Sequence, residues 1–316
     1  MSYTYPPAPA TVGTDMTTIE VHHLLKNPNL LRRQLETLLA QKFIADYLLT
    51  GRFQAVGGSI LYETGEEIFP ADASEAIAPG GGYPRTALTS GELAAAKTVK
   101  WGQDVPVTDE AIARLAMSPV QKALKVLANG IIRDVDGVAL AVIASKVTQT
   151  ISVTNEGTHH VDTGAWSTDD AIIEGILAVK AKAEELNVGF SFDYSTVALK
   201  PTQFAKVAGK LLTGGLVPRE QQNAILSGII PDYMGLTWVT STHVPFSDPI
   251  LVDRDLLGGM ADEKLGGPGY ATGQGGVEAK AIRQDATDSY DIRGRRVTVP
   301  VVLEPKAAVI IDSTGL

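Results

Sequence analysis

The side chains able to do chemistry are few, and their spacing suits little chemistry. The chain of 316 residues holds five histidines: His22, His23, His159, His160 and His243. Two adjacent pairs suggest a metal site. Sequence neighbours, however, do not face each other on a helix and point to opposite faces of a strand. No His-x-x-x-His spacing occurs, so these histidines read as solvated polar residues. Cysteine is absent, which removes disulfides, thiolate metal sites and a thiol nucleophile. No Gly-x-Ser-x-Gly elbow supports a hydrolase serine. Gly209-Lys210 is followed by Leu211, where a phosphate loop needs Ser or Thr, and no glycine stands upstream at the required spacing. The glycine-rich run "LGGPGYATGQGG" at 265–276 lacks the spaced dinucleotide fingerprint and reads as a loop. Asp169, Asp170, Glu184, Glu185, Asp253, Asp255, Asp262 and Glu263 fit caps and solvated faces rather than an acid–base pair. One tight basic cluster remains, "RGRR" at 293–296. It is either an exposed strand start or a salt-bridging contact with an acidic neighbour. Trp101 stacks on a ligand or anchors a rim or an interface. None of this amounts to an active site, so no cofactor or metal is expected.

Composition sets the frame that must position these residues. With 44% hydrophobic and 20% charged residues, the chain fits about two domains on a ~150-residue prior and can bury a sizeable core. A net charge of −9 argues against a generally basic surface for phosphate backbones, while leaving local basic patches open. "MSYTYPPAPA" has neither the basic nor the apolar part of a signal peptide. The longest apolar run, "GVALAVIA" at 137–144, falls short of the ~18 residues of a membrane span.

Residues 1–18, rich in Pro, Thr, Ala and Gly, are expected to form an extended arm. From Thr18 to about Thr50 leucines recur at helical spacing, broken at Asn27-Pro28, with Gly51 as a C-terminal stop. "VTDEAIARLA" predicts a helix capped by Thr108. A longer one follows, capped by Ser118, with Pro119 at its first position. Its apolar stripe is Val120, Leu124, Leu127, Ile131, Val135, Val138 and Val142. At 1.5 Å per residue it spans roughly 40 Å, and Gly130 and Gly137 weaken it unless another backbone packs close. Residues 167–257 alternate helix and strand, which predicts a compact α/β unit. The chain closes on two strands broken at Pro305.

Residues 53–106 pose the main puzzle. "AVGGSILYE" and "AAKTVKWGQDVPV" read as strands, and only turn chemistry lies between them. They are expected to pair as a long hairpin. A two-stranded ribbon is marginal alone, so its partner lies on its own domain or on a neighbouring copy.

The order of these parts resembles the major capsid proteins of tailed double-stranded DNA phages with the Hong Kong 97 fold, particularly those infecting actinobacteria. "GGSILYE…EEIFPADASEAIAPGGGYPRT" and "AAAKTVKWGQDVPVTDEAIAR" are similar to the two halves of the family's extended loop, and "SPVQKALKVLANGIIRDVDGVALAVIA" to its spine helix. "STVALKPTQFAKV", "GLTWVTSTHVPFSDPILVDRDLLGG" and "RGRRVTVPVVLEPKAAVII" resemble the axial and closing strands. The resemblance implies an α+β fold with an arm (1–52), an extended loop (53–106), a peripheral domain (107–166), an axial domain (167–275) and return strands (276–316). It implies a non-enzymatic virion protein, assembled in the host cytoplasm into hexamers and pentamers around DNA, which it contacts non-specifically at most. Scaffolding, portal and decoration proteins are the implied partners, and no membrane is. The implied contacts between copies are Tyr83, Arg85, Lys97, Lys100, Trp101, Arg293, Arg295 and Arg296. About fifty residues precede the loop, so scaffolding is expected to be separate or dispensable. Some relatives cross-link a loop lysine to a neighbour's asparagine. No asparagine follows Asn223, and a non-covalent shell is expected. The rival readings are an encapsulin-like nanocompartment shell and a soluble α/β enzyme.

Overall fold

The computed structural model describes residues 17–39, 43–65, 76–77, 79–83, 85, 91–214, 235–273 and 276–316. The arm expected over 1–18 lies almost wholly outside them. Among the described residues the longest strand is β12 (Ser289–Val302), and a sheet is built around it. The order is β1 (Gly51–Gln54), β9 (Gly258–Asp262), β12, β11 (Val277–Gln284) and β10 (Ala271–Thr272), with β4 (Val99–Thr108) also paired to β12. Strand alternation puts Tyr290, Ile292, Gly294 and Arg296 on one face of β12 and Asp291, Arg293 and Arg295 on the other. The first face carries helices. A Cβ at Gly294 would run into the side chains of Leu127 and Leu35, so the glycine within "RGRR" is where two helices press on the sheet.

Those helices are α2 (Pro28–Leu39) and α5 (Ser118–Lys146). The expected stripe on α5 is buried from Val120 to Val135. It then drifts: Asp136, Ala139, Leu140 and Ile143 are buried, while Val138 and Val142 are only half-buried. The cause is a new neighbour, the short helix α3 (Ile44–Leu48), which covers this end. Ser118 is not the cap; Met117 holds that position without a side-chain hydrogen bond. Gly130 makes room for the side chain of Gln103 on β4, whereas Gly137 faces open space.

The N-terminal helices belong to the core. α1 (Thr18–Lys26) starts with a capping box, in which Thr17 and Glu20 exchange side chain-to-backbone bonds. Leu24, Leu25, Leu31, Leu35 and Leu39 are buried. Gly51 ends no helix. It opens β1, which runs parallel to β9, and a Cβ there would press on the backbone of Gly258 and Gly259.

A second sheet has the order β5 (Thr150–Ser152), β13 (Ala308–Asp312), β8 (Ile250–Val252), β6 (Thr196–Leu199), β7 (Thr237–Thr240). Helix α6 (Asp169–Leu186) is capped by Thr168 and buries Ile172, Ile176, Val179 and Ala183. It packs beside α7 (Pro201–Gly214), whose first residue is Pro201. The α/β unit is therefore present, completed by strands from either side of it in sequence. One continuous apolar cluster runs beneath both sheets.

The third sheet is a two-stranded ribbon of β2 (Ser59–Thr64) and β3 (Glu92–Lys97), in register from Ser59 opposite Lys97 to Thr64 opposite Glu92. The expected long hairpin is corrected here. Beyond Thr98 the chain leaves its partner, and β4 pairs with β12 from Val99 opposite Thr298 to Thr108 opposite Ser289.

Candidate assembly surfaces

Alternation gives the ribbon two unlike faces. Ile60, Tyr62, Thr64, Glu92, Ala94 and Ala96 point to one side, and Ser59, Leu61, Glu63, Leu93, Ala95 and Lys97 to the other. The first side is covered within the chain: Ile60 and Tyr62 pack with Phe53, Val299 and Leu303 around buried Ala55, Ala261 and Val301. On the second side Leu61 is 69% exposed and Leu93 73%. Val56 and Val99, at the ribbon's base, are exposed as well. Among the described residues nothing covers these leucines.

The ribbon's base is fixed by polar bonds. One carboxylate, Glu263, accepts from the Gly58 N–H (3.0 Å) and from the Thr98 hydroxyl (2.7 Å). At the other end the Thr64 hydroxyl and the Gly65 N–H both donate to the Leu303 carbonyl at 2.9 Å. The ribbon therefore leaves the body at a set angle. Sequence reading did not find Glu263, because its partners lie 165 and 205 residues away.

The arginines of "RGRR" form three steps of burial. Arg293, half-exposed, donates from Nε and Nη2 to Asp104 at 2.7 and 2.6 Å. That bidentate bond holds the Asp104 carboxyl below the usual aspartate range. Arg295 reaches Glu278, which is fully buried, at 2.5 Å and lies 3.8 Å over the Tyr270 ring. Glu278 also accepts from the Gly266 N–H (2.7 Å) and the Thr272 hydroxyl, so it orders the glycine-rich loop. Arg296 is completely buried between Asp262 (Nε, 3.0 Å) and Asp46 (Nη2, 2.9 Å). The expectation that Arg296 contacts another copy is thus corrected. Its face of β12 turns into the core, and both its carboxylates come from its own chain.

The remaining expected contacts are spread out. Tyr83, Arg85, Lys97 and Lys100 are exposed, and Trp101 is half-buried against the main core. A further buried group, Asp136 on α5, accepts from the Ile44 and Ala45 N–H groups at 3.2 and 2.9 Å and so caps α3. Burial pushes its carboxyl above the usual range. Among the described residues no group of three or more His, Asp or Glu is arranged to hold a metal. None of the described helices is long and apolar enough to cross a membrane.

A ribbon with bare leucines, fixed on a body whose β12 arginines are neutralised within the chain, is the geometry of a building block. The sequence profile of a family described as phage capsid protein matches residues 91–311, more than half of the chain. The chain belongs to the phage capsid protein family. No curated protein sequence matches it significantly. Its fold is that of solved shells. The capsid of Cyanophage P-SCSP1u superposes with a TM-score of 0.55 at 16% identity, over 84% of this chain and 86% of that one. A structure from Mycobacterium phage Adephagia gives 0.51 at 11% identity, over 87% and 89%. A virus-like particle from Pyrococcus furiosus gives 0.52 at 10% identity, over 89% and 98%. At such identities the likeness concerns the fold alone, which is the Hong Kong 97 fold with α5 as its spine helix. The capsid protein is a structural component of the virion shell and not an enzyme.

Proposed function

We propose that this capsid protein builds a closed icosahedral shell of hexamers and pentamers around packaged duplex DNA, with the β2–β3 ribbon laid across an adjacent copy. The observation that carries this reading is the outward ribbon face, with Leu61 and Leu93 bare on a ribbon whose base is fixed by Glu263. In this reading the ribbon is the extended loop. The large sheet with α5 is the peripheral domain, and the second sheet with α6 and α7 is the axial domain. Lys97, Lys100, Tyr83 and Arg85 are exposed and available to neighbours. Trp101, Arg293 and Arg295 contribute mainly by holding the strand beneath them. Contacts of this kind are heterologous and close by curvature. Burying a leucine contributes about 1.5–3 kcal/mol, less the ordering cost of each contact. Multiplied around a shell, that holds without covalent links. Scaffolding, portal and decoration proteins are further partners in this reading.

Electron microscopy of the purified protein, alone and with the phage's scaffolding protein, tests it. Uniform icosahedral particles are expected, and on a boiled denaturing gel they should run as a single band near the chain mass of 33.4 kDa. A persistent monomer in light scattering at high concentration, scaffold present, overturns assembly. A ladder of multimers on the gel overturns the non-covalent shell.

A further inference from the structure

We propose that the outward face of the helical layer, carried by α5 and α2, is the surface that meets the phosphate backbone of the packaged duplex. This rests on the shell reading above and names the side of the subunit that faces the DNA. Helices α5 and α2 lie on the same face of the large sheet, since Leu127 and Leu35 both press on Gly294. Residues opposite their buried stripes therefore point the same way, away from the sheet. On α5 these are Lys122, Lys125, Asn129 and Arg133, all exposed. Their spacing of three to four residues forms one row, which at 1.5 Å per residue is about 16 Å long. On α2 the matching outward cation is Arg33, also exposed.

The charges of this face are unbalanced. Among the described residues Lys122, Lys125 and Arg33 have no carboxylate within ion-pair distance, and Arg133 meets only its sequence neighbour Asp134. The other acids of the two helices are already engaged: Glu36 with Arg32, and Asp136 as the buried cap of α3. The opposite face of β12 differs, for Arg293 and Arg295 there are each neutralised by a carboxylate. So does α6, which bears Asp169, Asp170, Glu174, Glu184 and Glu185 against Lys180 and Lys182. A chain of net charge −9 that keeps one row of cations, most of them without a carboxylate partner among the described residues, presents a complement to a polyanion. Among the described residues the exposed large apolar side chains on the two helices are Val126 (51%) and Leu30 (37%), too few for an apolar core. That suits phosphates, which position without reading sequence, better than a protein partner, whose interface core would need apolar anchors.

The test is fluorescence anisotropy of a mixed-sequence duplex with the full chain, titrated between about 50 and 200 mM salt. Each phosphate contact contributes about 0.9 to the slope of log affinity against log salt. Lys122→Gln/Lys125→Gln should therefore flatten the slope by about 1.8, and Arg33→Gln, which leaves α5 untouched, by about 0.9. Lys122→Arg/Lys125→Arg should keep the slope, and Lys180→Gln/Lys182→Gln on α6 should not change it. Circular dichroism checks folding of each variant, and the α2 variant still decides if the α5 variant misfolds. An unchanged slope in the α5 and α2 variants overturns the proposal. So does polyglutamate binding the unaltered chain as tightly as the duplex does, which would assign the row to an acidic protein segment. A wild-type chain that assembles into shells but whose free subunits bind no duplex overturns this proposal and leaves the shell reading intact. A chain that binds duplex yet never assembles does the reverse.

Discussion

Along β12 each of three arginines meets a carboxylate of its own chain. On the outer face of the ribbon two leucines stand largely exposed, uncovered by any described residue. The two regions treat their needs in opposite ways, for a physical reason. A buried charge without its partner is strongly destabilising, so a subunit that must fold before it assembles has to satisfy ionic groups internally. An exposed leucine costs a free subunit little and can wait for a neighbour. The comparison teaches that β12 is complete in its charges while the ribbon is incomplete in its apolar surface. Each side of that statement can be broken separately.

The largest effect is expected at Arg296. Arg296→Met leaves Asp262, whose side chain is only 12% exposed, without its cation and takes two bonds from Asp46. It should cost about 3–5 kcal/mol in urea unfolding. Arg52 still reaches Asp46 at 2.8 Å, so the loss centres on Asp262, and adding Asp262→Asn to Arg296→Met should recover much of it. A loss under about 1 kcal/mol would mean that the buried cluster does not hold α3 to the sheet.

The ribbon should answer the other way. Leu61→Ser/Leu93→Ser removes the bare apolar face, and unfolding of the free subunit should change by no more than about 0.5 kcal/mol. Assembly should weaken by up to about 1.5–3 kcal/mol per leucine, read as a raised concentration threshold for shells in light scattering. If the free subunit unfolds more easily and shells form as before, the leucines serve the chain that carries them.

Local patterning made much of this legible. The Thr108 cap and the α5 stripe as far as Val135 depend on neighbours within a turn or two, and sequence carries that information. The ribbon's existence was legible from turn chemistry. Its end at Thr98 was not, because β4 is claimed by a strand nearly two hundred residues later. "RGRR" was visible as a cluster, and its arginines pair with carboxylates of their own chain. Sequence could not say that the carboxylates are Asp104, Glu278, Asp46 and Asp262 of the same chain. Such pairings are set by sheet register, as Arg293 opposite Asp104 shows. Asp136 was hidden in an otherwise regular helix, since its partners are backbone groups 91 and 92 residues away.

Asp136 tests an intermediate case, a buried charge whose partners are dipoles. Asp136→Ala leaves two N–H groups of α3 without an acceptor and should cost about 1–3 kcal/mol in unfolding. Burial raises its folded pKa. The stability linked to its protonation is therefore fully present below the unfolded value of about 3.9 and is lost as pH rises through the folded value. Asp136→Asn, which keeps an acceptor and cannot ionise, should lose less stability than the parent as pH rises from about 3 to 7. Parallel stability–pH curves for the two proteins would show that the carboxyl is not strained by its burial.

The smallest effect is expected at the exposed end of the same ladder. Arg293 and Asp104 form a bidentate pair, but both are more than a third exposed, so water screens them. A double-mutant cycle of Arg293→Ala and Asp104→Ala should give a coupling of about 0.2–1 kcal/mol, weakening with added salt. Its pH dependence should run opposite to that of Asp136. The Asp104 pKa is lowered by Arg293, so its contribution is present above about 3.9 and lost as pH falls through the depressed value. Asp104→Asn should therefore abolish this part of the acid loss and leave neutral-pH stability nearly unchanged. A coupling above about 2 kcal/mol would show that the pair is shielded from water. Since both residues are exposed in the single chain, that shielding would have to come from a neighbouring copy, and the coupling should then fall to the surface value when shells are dissociated.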